Sequence, residues 1–147
     1  MSELSPVVRE FLDGYERSRN NFDLDLIVSL YSDTFMFATP AGVRVADKPG
    51  VRASIPKGQA LLTSLGHTST TLAASSETRL DDHYAMVRAR FVWRFEKAPA
   101  EPVDIDFDST FMLFIKDGAA RIVFQQERED FLEALRARGL MPPRPPA

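Results

Sequence analysis

From Ala85 onward the sequence keeps a strict two-residue period. Ala85, Val87, Ala89, Phe91, Trp93 and Phe95 fall on one face, and Arg88, Arg90 and Arg94 fall on the other. The period recurs from Asp104 to Ile115. Ile105, Phe107, Ser109, Phe111, Leu113 and Ile115 share a face opposed to Asp104, Asp106 and Asp108. Such alternation suits a half-buried strand and no helix. Two long strands joined through the proline-bearing segment 97–102 should pair as an antiparallel hairpin, with arginines and aspartates as cross-strand neighbours on the wetted face. The other face is apolar along its whole length and must be covered by another layer.

Three turn signals divide residues 67–129 into four strands: Asp81-Asp82, the segment 97–102, and Asp117-Gly118. Read as a two-residue loop, Asp117-Gly118 sets Lys116 opposite Ala119. Simple alternation from that pair places Ile122, Phe124, Gln126 and Arg128 on the core side of the last strand. Upstream, Thr34–Ala38 and Val43–Ala46 flank Pro40-Ala41-Gly42 and read as a short hairpin.

Helical spacing dominates the ends of the chain. Ser5-Pro6 is a helix start, and Val8, Phe11, Leu12 and Tyr15 follow on one face until Asn20-Asn21 ends the element. Asp23 can cap a second helix with Leu26, Ile27, Leu30 and Tyr31 as its apolar stripe. A third is expected from about Lys57 to Leu65, stopped by Gly66, and a fourth from Asp130 to Arg138, stopped by Gly139. Residues 1–139 are thus expected to form one domain, and 140–147, with their consecutive prolines, a disordered tail.

Composition narrows the function classes. The chain has 147 residues and no cysteine, which removes disulfides, thiolate metal sites and cysteine nucleophiles. Its two histidines, His67 and His83, have no metal-ligand spacing, so neither a metal nor a cofactor is expected. The net charge of −3, with arginines interleaved among acids, offers no footprint for nucleic acid. No apolar run approaches the roughly 20 residues of a membrane span, and the first residues lack the basic and apolar parts of an export signal. No membrane partner is expected, and the expected location is the cytoplasm.

The order helix, helix, hairpin, helix and four long strands resembles the nuclear transport factor 2-like superfamily. So does the run Leu26-Ile-Val-Ser-Leu-Tyr-Ser-Asp33 followed by Phe35-Met-Phe-Ala-Thr-Pro-Ala-Gly42. The resemblance implies an α+β fold, a cone-shaped barrel whose N-terminal helices pack on a curved antiparallel sheet and enclose a pocket. Members of this superfamily, SnoaL-like cyclases and ketosteroid isomerases among them, use the pocket as enzymes, carriers or dimerisation modules, so the fold names no reaction. Ketosteroid isomerase employs a tyrosine on the first helix, an aspartate base before the hairpin proline, and a protonated aspartate on a later strand. Tyr15 is similar in placement to that tyrosine. Thr39 stands before Pro40, however, and Met112 matches the second aspartate approximately, which disfavours that mechanism.

With no acid on the core face before Arg128, the candidate ligand-binding residues are Tyr15, Arg19, Tyr31, Thr39, Trp93, Ser109, Gln126 and Arg128. This set hydrogen-bonds or holds an anion better than it moves a proton, and no catalytic residue is assigned. Two functions stay open. One is a binder of a small, mostly apolar molecule, with isomerase or lyase chemistry of the cyclase type. The other is a non-catalytic dimerisation or carrier module whose interior is filled by Phe35, Phe37, Phe91, Phe107, Phe124 and other aromatic side chains. An open cavity with two or more convergent polar groups separates the first from the second. The arginine-bearing face also carries Tyr84, Met86, Val92, Met112, Phe114 and Val123, for which a homodimer through the outer sheet is expected.

Overall fold

The computed structural model describes residues 4–143. Its elements run α1 (Pro6–Asn21), α2 (Leu24–Ser29), β1 (Tyr31–Thr39), β2 (Gly42–Asp47), α3 (Lys48–Ser64), β3 (His67–Arg79), β4 (Tyr84–Phe95), β5 (Val103–Lys116), β6 (Ala119–Glu127) and α4 (Phe131–Ala137). The strands form one six-stranded sheet in the order β2-β1-β6-β5-β4-β3. The α+β architecture is the expected one, with one difference: β1 pairs parallel to β6, so the sheet is mixed. The hairpin β1–β2 is joined to the long meander through that parallel seam.

Two local expectations shift. Tyr31 opens β1 instead of closing α2, whose last residue is Ser29. Helix α3 begins nine residues before Lys57, because Asp47 caps it by accepting from Gly50 N at 2.8 Å and Pro49 sits in its first turn, where no amide is needed. Pro56, which argues for a break, is inside the helix. Gly66 follows it with φ +93°, and a Cβ there would sit 2.6 Å from Glu96 O, so the connection into β3 requires glycine.

Helix α1 lies across the sheet with Val8, Phe11, Leu12 and Tyr15 buried. Each such side chain contributes roughly 1.5–3 kcal/mol of apolar transfer energy. Phe11 meets Phe111 edge-on at 5.4 Å, and Tyr15 stacks on Phe91 at 4.9 Å. The helix also ties down edge strand β3. Glu16 Oε2 accepts from Leu72 N at 2.6 Å, while Asn20 takes both the N–H and the carbonyl of Thr70, at 2.7 and 2.8 Å. These bonds occupy backbone groups of an otherwise open edge. Ser5 does not cap α1 with its side chain. Its hydroxyl donates instead to Glu77 on β3 at 3.0 Å.

On the convex face the charge ladder forms as the alternation implies. Arg90 opposes Asp108 at 2.8 Å and Arg94 opposes Asp104 at 3.2 Å, whereas Asp106 opposes Val92. At the C-terminal end, Leu140 and Met141 pack against the core, although the sequence reading assigns them to the tail. Residues 144–147 of that tail lie outside the described residues.

Candidate functional site

The β5–β6 turn obeys its sequence: Asp117 and Gly118 both take positive φ, and Lys116 pairs with Ala119. The alternation inferred from it fails four residues later. Leu113 pairs with Ile122 but Met112 pairs with Phe124, so Val123 is an extra residue in β6. Because side chains alternate with period two, one inserted residue reverses every face beyond it. Phe124 and Gln126 therefore leave the core side, and Gln125 and Glu127 enter it, where they are buried. Phe124 is no part of the interior filling. Exposed Gln126 and Arg128 are corrected from their expected position, and Arg128 meets Asp108 at 3.4 Å on the outer face. Met112 also faces outward, opposite Met86 and Phe124, and so cannot stand in for a pocket aspartate.

The interior encloses a cavity of about 1020 Å³, open at one end. Helix α1 supplies Tyr15 and Arg19, β1 supplies Tyr31, Phe35 and Thr39, and β4 and β5 supply Phe91, Trp93, Phe107 and Ser109. Val51, Ile55 and Leu62 of α3 form the facing wall, and Phe131 of α4 closes one end by packing 4.9 Å from both Trp93 and Phe107. Six of the eight expected residues thus line one cavity: Tyr15, Arg19, Tyr31, Thr39, Trp93 and Ser109. Gln125 and Glu127 replace the remaining two.

A continuous polar strip crosses the floor. Tyr31 Oη donates to Gln125 Oε1 at 2.9 Å, Gln125 Nε2 donates to Glu127 Oε1, and Ser109 Oγ donates to Glu127 Oε2 at 2.5 Å. Burial pushes the Glu127 carboxyl above the ordinary range, against the opposing pull of Ser109, Gln125 and the Arg19 charge. Desolvation raises the phenols of Tyr15 and Tyr31 too, so both remain hydrogen-bond donors at neutral pH. Arg19 Nη2 donates to Tyr15 Oη at 3.4 Å, and its guanidinium carbon lies 4.8 Å from the Tyr15 ring centre. Thr39 is at the hairpin end of the cavity, its hydroxyl accepting from Ala41 N at 3.2 Å.

The chemistry of this set differs from the expectation of an acid-free pocket. A buried carboxyl that holds its proton more tightly than usual, beside two phenols and a guanidinium, can exchange a proton with a bound molecule and stabilise a developing negative oxygen. The run Ile122-Val123-Phe124, three apolar residues in succession in the last strand, is the one local signal of the bulge. His67 stays outside the cavity lining, bound through Nε2 to Thr70 Oγ1 at 2.8 Å, and burial lowers its pKa. His83 sits in the Asp81 turn. Among the described residues no cluster of three metal-ligating side chains occurs, and no helix is long and apolar enough to cross a membrane.

No family model matches the sequence, and no curated protein matches it. Solved structures match the fold. An NTF2-like protein with a cystatin-like fold from Novosphingobium aromaticivorans superposes with a TM-score of 0.69 at 15% identity, covering 92% of this chain and 86% of that one. An NTF-2-like protein of unknown function from Shewanella oneidensis gives 0.65 at 19% identity, over 83% of this chain and 96% of that one. A ketosteroid isomerase-like protein from Erwinia carotovora gives 0.63 at 14% identity, over 87% and 97%. The nuclear transport factor 2-like fold expected from the sequence is the fold of this chain.

Proposed function

We propose that this protein binds a small, mostly apolar molecule in the cone and carries isomerase or lyase chemistry there, with Glu127 as the group that gives or takes the proton. The observation that carries the reading is the convergence of Tyr15, Arg19, Tyr31, Ser109, Gln125 and Glu127 on the floor of one open cavity of about 1020 Å³. Space of this size with several convergent polar groups favours a ligand site over an interior filled by its own side chains. Of the aromatic residues that could have filled it, Phe35, Phe37, Phe91, Trp93 and Phe107 line its wall instead, giving a large apolar contact surface to a ligand body.

Glu127 suits proton transfer because desolvation raises its carboxyl, which makes the ionised form a stronger base than an exposed carboxylate. Tyr15 and Arg19 are placed to hydrogen-bond an oxygen on which charge develops. The test is solvent-deuterium exchange into a panel of cyclic ketones bearing acidic α-hydrogens, followed by NMR. Exchange that requires wild-type protein and is lost in Glu127→Gln supports the reading. Exchange unchanged in Glu127→Gln, or absent while the ketones bind, removes Glu127 from the chemistry.

A further inference from the structure

The floor of the cavity has an unbalanced charge. Among the described residues Arg19 forms no ion pair. Its hydrogen bond to Tyr15 Oη is 3.4 Å long, and its Nε is buried without a hydrogen-bond partner. Trp93 Nε1, in the wall of the same cavity, is likewise buried without a partner. A guanidinium presents donors in a fixed fork that matches a carboxylate, and one taken out of water without a counter-charge is costly. The nearest acid of the floor is Glu127, and both of its oxygens are already engaged, by Ser109 and Gln125. Burial raises the Glu127 carboxyl against the pull of the Arg19 charge.

We infer that the ligand is a carboxylic acid with an apolar body, its carboxylate received by Arg19 and its body lying against Phe91, Phe107 and Ile55. This rests on the reading of the cavity as a ligand site and names the substrate class for it. The anion supplies the counter-charge that the protein itself lacks at Arg19. The other charged residues of the lining are Arg44 and Asp47 on β2 and Glu129 and Asp130 between β6 and α4, which leaves Arg19 as the cation of the floor. Trp93 is the sole tryptophan of the chain, which gives the site its own optical reporter.

The experiment titrates the full chain with three probes sharing one apolar body, 3-phenylpropanoate, 3-phenylpropanol and 3-phenylpropylamine, following Trp93 fluorescence and calorimetric heat at neutral pH. The acid is expected to bind at least about tenfold more tightly than the alcohol, as a charge-assisted bond requires, and the amine most weakly. Arg19→Met should reduce the acid to the affinity of the alcohol while moving the alcohol by less than about threefold. Arg19→Lys, which keeps the charge and the stem, should retain part of the preference and serves if the methionine variant fails to fold. Equal binding of acid and alcohol, or a preference that survives in Arg19→Met, overturns the carboxylate inference and leaves the pocket reading standing. Binding of none of the probes at millimolar concentration overturns both.

Discussion

Ser109 and Glu127 face each other directly across the β5–β6 ladder, and the Ser109 hydroxyl donates to Glu127 Oε2 at 2.5 Å inside the apolar cone. That pairing exists only because Val123 is looped out of the register four residues earlier. It converts a pocket that looks inert in the sequence into one that contains an acid.

The first prediction concerns stability against pH. The folded-state pKa of Glu127 is raised, chiefly by burial, while Arg19, Ser109 and Gln125 pull it down. The folded protein therefore holds this proton more tightly than the unfolded chain. The stabilisation is complete below the ordinary carboxylate pKa and is lost as pH rises through the folded value. Relative to wild type, Glu127→Gln should gain stability between about pH 4 and about pH 8, by about 1.4 kcal/mol for each unit of upward shift. Urea unfolding at both pH values measures it. A difference that stays constant with pH, or moves the other way, contradicts the assignment.

Tyr15 and Thr39 should separate in binding. Tyr15→Phe keeps the ring that stacks on Phe91 but removes the hydroxyl next to Arg19, so melting should hardly change while affinity for 3-phenylpropanoate falls about three- to tenfold. Thr39→Ala loses one bond to the Ala41 amide at the cavity mouth and should leave affinity within about twofold. Trp93 fluorescence titration of both variants checks this, and the reverse order would move the binding site toward the hairpin.

Gly66→Ala combines a strained backbone with a collision, since φ is +93° and the new Cβ would lie 2.6 Å from Glu96 O. It should cost about 2–4 kcal/mol. Gly139, with φ +76° and nothing within 4 Å of a new Cβ, has the strain alone and should cost about 1 kcal/mol. Thermal melts of the two alanine variants should therefore differ clearly, and equal melting would mean that the α3–β3 connection relaxes.

For the outer sheet face we propose a second copy of this chain. Tyr84 and Met36 are exposed there, and Met86, Met112, Phe114 and Phe124 are half-covered beside the Arg90–Asp108 and Arg94–Asp104 pairs. Sedimentation at tens of micromolar should give a dimer that Met112→Asp dissociates. A wild-type monomer at that concentration would remove the proposal.

Much of the scaffold was legible because its signals are local. The alternation of Ala85–Phe95 and Ile105–Ile115 determined both strands, their inner faces and the opposed arginines and aspartates. Asp117-Gly118 determined the tightest turn, and the spacing of Val8, Phe11, Leu12 and Tyr15 determined which face of α1 is buried. Asp47 with Pro49 also carried the start of α3, which the sequence reading set at about Lys57 instead. The parallel seam between β1 and β6 was not legible, because it joins segments about ninety residues apart through no turn of their own. The identity of the buried acid depended on one residue, Val123, whose displacement is decided by how β6 fits β5 on one side and β1 on the other. Sequence alone placed Tyr15, Arg19 and Ser109 toward the interior. Only tertiary pairing could put Glu127 among them, since a shift of one residue in a strand of period two exchanges the core for the surface.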